Sequence, residues 1–369
     1  METIRFDDFI RLNRGFDLPD YKIEKGEYPV ITSTNIKAFH KEYKVEGPMV
    51  VTGRSGSLGK VQYIEGRCWP LNTSLYVKDY KGNFPRYVYY FLQMMHLEQY
   101  NAGAGVPTLN QNHLHSLKIK IHEKKLQQKI ASILSAYDCL IENNTRRMRL
   151  LEQMAENLYK EWFVRFRFPE HEKVEMVNGL PKGWERKELS DIADITYGYA
   201  FKSNKFCSDN SLNAVVRIRD IQNNSTETYT DESCDERYLI VRNALLIGMD
   251  GIFHMCLWNG ERAYLNQRVV MLNSKYNDMC NYLLYFAIRP QIKYWEQVIV
   301  GTTVAHLGDK HLKKIKVLIP DTNTLRLANK VIESAMKEIN DLQQQNQLLT
   351  RQRDLLLPRL MSGKLEVKS

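Results

Sequence analysis

Two long stretches of this chain carry apolar residues at alternating steps of three and four. In the first they fall at Leu134, Tyr137, Ile141, Met148, Leu151, Ala155, Leu158 and Trp162, with Asn144 in the series. In the second they fall at Ile332, Ala335, Ile339, Leu342, Leu349, Leu356 and Leu360, with Asn346 and Arg353 in the series. A sustained three-four seam predicts long helices of the coiled-coil type. The polar interruptions fix register at some cost in stability. Pro358 is expected to end or kink the second helix near its last turn. Elsewhere the pattern is shorter. "GPMVVTG", "GKVQYI" and "SLYVKDY" put β-branched and aromatic residues between glycine and polar breaks, and predict strands. "RYVYYFLQMMHLEQY" predicts a helix, echoed by "MCNYLLYFAIRPQIKYW", while "SLKIKIH" and "KKIKVLIP" read as closing strands.

The echo extends through the chain. "GVPTLNQNHLHSLKIKI" from Gly105 is answered by "TVAHLGDKHLKKIKVLI" from Thr303, with Val106 on Val304, Leu109 on Leu307 and His113 on His311, each 198 residues apart. The same offset carries Ile141 onto Ile339, Leu151 onto Leu349 and Leu158 onto Leu356. Upstream the shifts differ slightly. "GRSGSLG" at Gly53 faces "GMDGIFH" at Gly248, "LNTS" at Leu71 faces "LNQR" at Leu265, and "FDDFIRLNRGFDLP" at Phe6 faces "LSDIADITYGYAFK" at Leu189. This is duplication of a whole module, not a solenoid. The expected fold is α+β: two tandem mixed α/β domains separated by two long helices that form an antiparallel coiled coil, a pseudo-twofold internal duplication. The expected boundaries are 1–122 for the first mixed domain, 123–168 for the central helical region, 169–320 for a linker and the second mixed domain, and 321–369 for the C-terminal helical region. An alternative is that each helix packs only on its own domain. The seam from Leu134 to Trp162 covers 28 steps, about 42 Å at 1.5 Å each. That exceeds one turn of B-DNA, about 34 Å.

Composition narrows the class. With 43% hydrophobic and 26% charged residues the chain is foldable rather than disordered. No run of eighteen apolar residues occurs, so no membrane span is expected. "METIRFDDFIRL" does not read as a signal peptide. The six cysteines form no CxxC pair, which argues against a zinc site or a disulfide framework and for a cytoplasmic location. The formal charge of +9 suits a partner rich in phosphate, although many proteins are mildly basic.

Catalytic motifs are hard to find. "GRSGSLGK" (Gly53–Lys60) has five residues between its first glycine and the Gly-Lys pair, and Val61 follows, so it fails the phosphate-loop spacing. A glycine-rich turn with a basic rim fits it better, and such a turn can approach a DNA backbone closely. The GxG of "NAGAG" follows a helical pattern and its echo is "VIVGTT", so a plain loop is expected there. HExxH, GxSxG and NPP[YF] are absent. His113 and His311 lack a carboxylate pattern and read as structural. No metal site or catalytic residue is expected. What remains is binding chemistry. Arg54, Lys60, Arg217, Arg219 and Arg268 suit phosphates or guanine edges. Asn35, Asn72, Asn110, Gln222, Asn266 and Gln267 suit adenine edges or backbone. Thr32, Ser33 and Thr34 form a hydroxyl cluster whose counterpart is "VVRIRDIQ", and Ser55 lies in the glycine-rich turn. Matched positions differ in chemistry while the framework is kept, as expected for two related modules that read different sequences. For any one of these residues a solvated surface role is the competing reading.

The order of these parts resembles the specificity subunit of type I restriction–modification systems. The resemblance covers nearly the full chain. It rests on "LQQKIASILSAYDCLIENNTRRMRLLEQMAENLYKEWFVRFRFP", followed by "NGLPKGWERKELSDIA", and on the ending "LLLPRLMSGKLEV". It implies that each mixed region is a target recognition domain reading one half of a bipartite, asymmetric duplex site. The helices would form the coiled coil that seats two methyltransferase subunits. On the seam this concerns Leu134, Tyr137, Ile141, Leu151, Leu158 and Trp162 with Ile332, Ile339, Leu342, Leu349 and Leu356. It also implies that this chain is non-catalytic and binds no cofactor. S-adenosylmethionine belongs on the methyltransferase partner, and ATP and magnesium on the restriction motor-nuclease partner. One departure is visible: the first domain lacks a "GLPxGW" opening, so its first strand is expected to be tied down differently, unless the chain starts short. Two other readings stay open, a DNA methyltransferase or endonuclease with its own active site, and a coiled-coil scaffold without specific DNA binding.

Overall fold

The computed structural model describes residues 1–299 and 305–367. Val304, and the Val300–Thr303 part of the "VIVGTT" echo, lie outside these. The chain divides into two compact units: Met1–Asn144 with the residues from Gln345 onward, and Thr145–Gln344. Each unit therefore holds one mixed domain and a part of each long helix.

In the first unit β1 (Glu2–Arg5) leads through a helical turn to β2 (Arg11–Arg14), β3 (Lys25–Ile31), β4 (Ile36–His40), β5 (Met49–Gly53), β6 (Val61–Ile64), β7 (Trp69–Pro70) and β8 (Ser74–Asp79). Helices α1 (Pro85–Met94) and α2 (Gln111–Ser116) follow, then β9 (Lys118–Ile121) and the long α3 (Lys124–Tyr159). Two sheets form, in the orders β2-β8-β5-β6 and β4-β3-β7, and β1 pairs antiparallel with β9. The fully buried run of β5 explains its near-continuous apolar sequence, since both of its faces are covered. Phe6, Phe9, Leu75, Val77, Tyr87 and Leu114 fill the core between sheet and helices.

The second unit repeats this plan. After a short hairpin of Met176–Val177 with Leu180–Pro181, its strands are β10 (Glu185–Glu188), β11 (Ala193–Tyr197), β12 (Asn213–Val216), β13 (Tyr229–Thr230), β14 (Leu239–Ile240), β15 (Leu245–Gly248), β16 (Met255–Leu257), β17 (Ala263–Leu265) and β18 (Val269–Ser274). They are followed by α4 (Asn281–Val298), the single turn α5 (Asp309–Leu312), β19 (Lys316–Ile319) and α6 (Thr322–Met361). The sheet orders are β11-β18-β15-β16 and β13-β12-β17-β14. The duplication reaches the register. Val30 and Ile31 pair parallel with Trp69 and Pro70, as Val215 and Val216 do with Tyr264 and Leu265. The expectation of a different anchorage for the first strand is corrected. Glu2 faces Ile121 as Glu185 faces Ile319, so both domains are closed by the same strand pair despite the missing opening motif.

Both long helices form as the seam predicts, over 36 and 40 residues. Asp321 starts α6: its carboxylate accepts from the backbone N–H of Asn323 and Thr324, both at 3.0 Å. Pro358 sits in the last turn, and the helix ends three residues later, at Met361. The helices run antiparallel in each unit. In the first, the Arg353 guanidinium donates to Asp138 at 2.8 Å and Asn144 donates to Asn346 at 3.0 Å. In the second, Arg147 pairs with Glu338. They pack on their domains as well. Leu134 and Leu360 join the first core, and Ala155, Ile332 and Ile339 the second. Pairing and domain packing thus coexist.

Candidate nucleic-acid interface

Four loops of the first unit meet where β5 ends and β8 begins. The turn after β3 is held by the Leu71 N–H donating to the Ile31 carbonyl at 2.8 Å. The N–H groups of Arg54 and Ser55 both donate to the Thr73 carbonyl, at 2.8 and 3.1 Å. The loop before α2 closes on the same turn, with Gly56 donating to Pro107 at 2.9 Å and Leu109 to Arg54 at 2.8 Å.

The second unit repeats four of these five bonds. Asn266 donates to Val216 at 3.1 Å, Met249 to Arg268 at 2.9 Å, Gly251 to Ala305 at 3.0 Å and Leu307 to Met249 at 2.7 Å. These are backbone bonds, so the frame does not depend on the outward side chains it carries. They also correct the alignment of "LNTS" with "LNQR" by one residue. Phe16 donates to Pro70 and accepts from Asn72, as Tyr199 donates to Leu265 and accepts from Gln267. Leu71 therefore occupies the place of Asn266, Asn72 that of Gln267 and Thr73 that of Arg268.

On this frame the candidate residues fall into two groups. Some bind inward and shape the loops. Ser33 is buried, its hydroxyl 2.8 Å from the Thr73 carbonyl and 3.0 Å from that of Ser55. Thr32 closes its turn by accepting from the Asn35 N–H at 3.1 Å and donating to the Asn35 side chain at 2.6 Å. Arg54 is half-buried and donates to the Asn72 carbonyl at 3.1 Å, and the Asn72 amide is tied to Asp17. Asn110 caps α2 by accepting from the Asn112 N–H at 2.9 Å. The Arg217 guanidinium is bonded to Thr228 and lies 3.6 Å from buried Asp220. Burial pushes the Asp220 carboxyl up, opposed by the Thr226 hydroxyl and Arg219. Asn266 is buried, and its side-chain oxygen meets no hydrogen-bond partner among the described residues.

The other group faces outward. Thr34 and Ser55 are half-buried at the rim, while Asn35 and Lys60 are exposed. Arg219 has 71% of its side chain exposed. Gln222 is exposed and lies 3.3 Å from the His254 ring. Gln267 is exposed beside Arg268, whose left-handed backbone (φ +74°) turns the chain there. His113 and His311 make local contacts. His113 packs edge-on to Tyr100, and His311 accepts from the Gly308 N–H at 3.0 Å, with burial holding its pKa down.

Sequence reasoning missed Asp250. Its carboxylate lies 3.6 Å from Arg268 Nε and 2.6 Å from His306 Nδ1. The signal was present in "GMDG", where an acid stands in a turn whose counterpart, "GRSG", carries a base. Among the described residues no group of His, Cys, Asp and Glu could hold a metal ion, and no helix is long and apolar enough to cross a membrane.

Comparison with known proteins decides the family. The model of the Type I restriction modification DNA specificity domain matches residues 1–153 and again 181–351. The chain belongs to that family. Each match takes in one mixed domain and most of the long helix after it, so family and structure agree on the repeating unit. Among curated relatives, the type I restriction enzyme MjaIX specificity subunit of Methanocaldococcus jannaschii is 26% identical over 95% of this chain and 86% of its own length. The MjaVIII specificity subunit of the same organism is 22% identical over 100% and 93%. The crystal structure of a type I restriction–modification S subunit from M. genitalium has the same fold, with a TM-score of 0.67 at 16% identity, covering 100% of this chain and 96% of that one.

Proposed function

We propose that this chain is the DNA-recognition subunit of a type I restriction–modification complex. It reads a bipartite, asymmetric site in double-stranded DNA, one half-site per mixed domain. The observation that carries this reading is the duplicated loop frame, alike in its main backbone bonds and different in side chains. Thr73 stands where the second unit has Arg268, and Asn72 where it has Gln267. A kept frame with exchanged surface chemistry is what two readers of unlike sequences require. The outward set, with Lys60, Arg219 and Arg268, supplies phosphate or guanine contacts. Asn35, Gln222 and Gln267 supply donor–acceptor pairs for adenine edges.

The subunit is non-catalytic and seats two methyltransferase subunits on its helices. Each unit exposes apolar side chains there: Ile133, Leu140, Leu348 and Leu355 in the first, and Leu150, Met154, Leu327 and Val331 in the second. S-adenosylmethionine is carried by those partners, and ATP with magnesium by a restriction subunit. The test is co-expression with the neighbouring methyltransferase gene and single-molecule sequencing of the host DNA. A gapped two-part motif with methyl-adenine on both strands is the expected outcome. Exchanging residues 1–122 for those of a relative changes one half-site only, and inserting a heptad before Met148 changes the gap. A change in both half-sites after the exchange would refute the modular reading.

A further inference from the structure

The duplication creates a pairing problem that two polar layers solve. Most of the helix seam is interchangeable between the halves: at the offset of 198, Leu134 matches Ile332, Ile141 matches Ile339, Leu151 matches Leu349 and Leu158 matches Leu356. An antiparallel pair of two α3 helices, or of two α6 helices, from separate copies would therefore bury nearly the same apolar surface as the native α3–α6 pair. Within the seam two places break the likeness by polarity; outside it the exposed Arg147–Glu338 pair, whose equivalents are Gln345 and Leu140, also differs, but an exposed pair contributes little. Asp138 meets Arg353 at 2.8 Å, and the Tyr90 hydroxyl also donates to Asp138. The equivalent positions in the second unit are Met336 and Ala155, both buried and apolar. One to two turns further, buried Asn144 meets Asn346 at 3.0 Å, and Asn346 donates to the Ile141 carbonyl at 3.2 Å. Their equivalents are Leu342 and Met148.

We infer that these layers enforce heterotypic pairing, holding α3 against α6 and rejecting a second copy of either half. At these seam layers of the native pair, polar meets polar in the first unit and apolar meets apolar in the second. In an α3–α3 pair, Asp138 would face Ala155 and Asn144 would face Met148, each twice by symmetry. In an α6–α6 pair, Arg353 would face Met336 and Asn346 would face Leu342, again twice. Each mismatch costs a cross-helix polar partner in an apolar seam, the costly case for buried and half-buried polar groups; Arg353 would keep Asp354 of its own helix at 2.8 Å but lose Asp138. Tyr90 would remain on Asp138, but a hydroxyl does not neutralise a carboxylate. A polar residue at a seam position is an effective selector of partner and register for this reason. The inference concerns assembly and does not depend on the DNA reading.

The experiment uses the full chain with a protease site inserted in the exposed 169–173 stretch. The nicked protein is held near its unfolding midpoint, returned to native buffer, and weighed by native mass spectrometry, which separates the three possible pairs. The wild type returns with nearly all pairs heterotypic. The variant D138M/N144L/N346M/R353A, with every layer apolar, returns with about half its pairs heterotypic, the statistical share. R353D, a milder change, opposes two carboxylates in the native pair and lowers the heterotypic share, and adding D138R restores it. A wild type that scrambles to the statistical share, or an R353D protein as heterotypic as the wild type, overturns the inference.

Discussion

Gly198→Ala tests whether the loop frame, and not the surface residues alone, carries recognition. A Cβ on Gly198 would lie 1.9 Å from the Asn266 carbonyl oxygen and 2.3 Å from its carbon, both backbone atoms. Contacts under 3.0 Å are not sustained, so the two segments must part by at least about 1.1 Å (3.0 − 1.9). The bonds strained by that parting are Tyr199 to Leu265 at 2.9 Å and Gln267 to Tyr199 at 2.7 Å. Losing both costs about 1 kcal/mol each, and residual overpacking brings the total to roughly 2–4 kcal/mol. The displaced residues are Asn266, Gln267 and Arg268, of which Gln267 and Arg268 carry second-domain contacts in the proposed function. With a methyltransferase partner bound, affinity for a duplex with both half-sites should fall on the order of 10- to 100-fold, and preference at the second half-site should relax. Preference at the first half-site should persist. Gly15 holds the same place in the first domain, 2.2 Å from the Leu71 oxygen, so Gly15→Ala should give the mirror result. The assay is competition binding with duplexes altered in one half-site at a time, beside thermal unfolding of the same variants. If Gly198→Ala lowers stability as expected but leaves second half-site preference intact, the frame is not what positions the readers.

Three further outcomes follow from named contacts. Asp250→Asn keeps the shape but removes the charge between Arg268 and His306; it should weaken discrimination at the second half-site with thermal stability nearly unchanged, measured by the same competition assay. Arg219→Gln and Arg268→Gln should each lower the slope of log affinity against log salt by about 0.9 if each meets a phosphate, and by less if it reads a base. Asp321→Ala should cost about 1 kcal/mol at pH 7 by removing the start of α6. Burial raises the Asp321 pKa, but the Thr324 hydroxyl and the two N–H donors outweigh it, and the folded value is lowered. Its contribution is therefore present above the unfolded carboxylate pKa and lost as pH falls through the folded one. The gap in unfolding temperature between wild type and variant should close on the acid side of the ordinary carboxylate range.

Much of the fold was legible because its strongest signals are periodic. The three-four seam fixed both long helices, and an offset of 198 survived from Leu109 to Leu158 because packing constrains every turn of a helix seam. Loop equivalence was harder. The shared "LN" drew Leu71 onto Leu265, but identical letters in a turn need not occupy identical places, and only the bonds to Phe16 and Tyr199 reveal the shift. The candidate site was legible as a set of loops, less so as a set of side chains. Arg217 and Arg219 look alike in sequence. One is bonded to Thr228 beside buried Asp220, and the other extends into solvent. That difference depends on Phe206, Asp220 and Thr228 closing around Arg217, which no local pattern encodes. Asp250 escaped notice for the converse reason, since its partners Arg268 and His306 lie far along the chain.

The two kinds of bonding in this molecule divide the work of duplication. The recognition loops are held largely by backbone bonds, so the outward residues can diverge between the copies without loosening the frame, provided the close approaches at Gly15 and Gly198 are kept. The helix seam is held by side chains, so divergence there changes partner choice at once. A duplicated module must diverge in the first place to read two sequences and in the second to keep its halves together. The exchange of Thr73 for Arg268 shows the first kind of change, and the exchange of Met336 for Asp138 the second. A related chain whose seam layers are alike in both halves should then pair its halves without preference, whatever its loops read. Nicking such a chain and weighing its pairs would separate the two requirements: statistical pairing with intact half-site preference would mean that partner choice and sequence reading are set by different residues, and loss of both together would mean that the seam also shapes the loops.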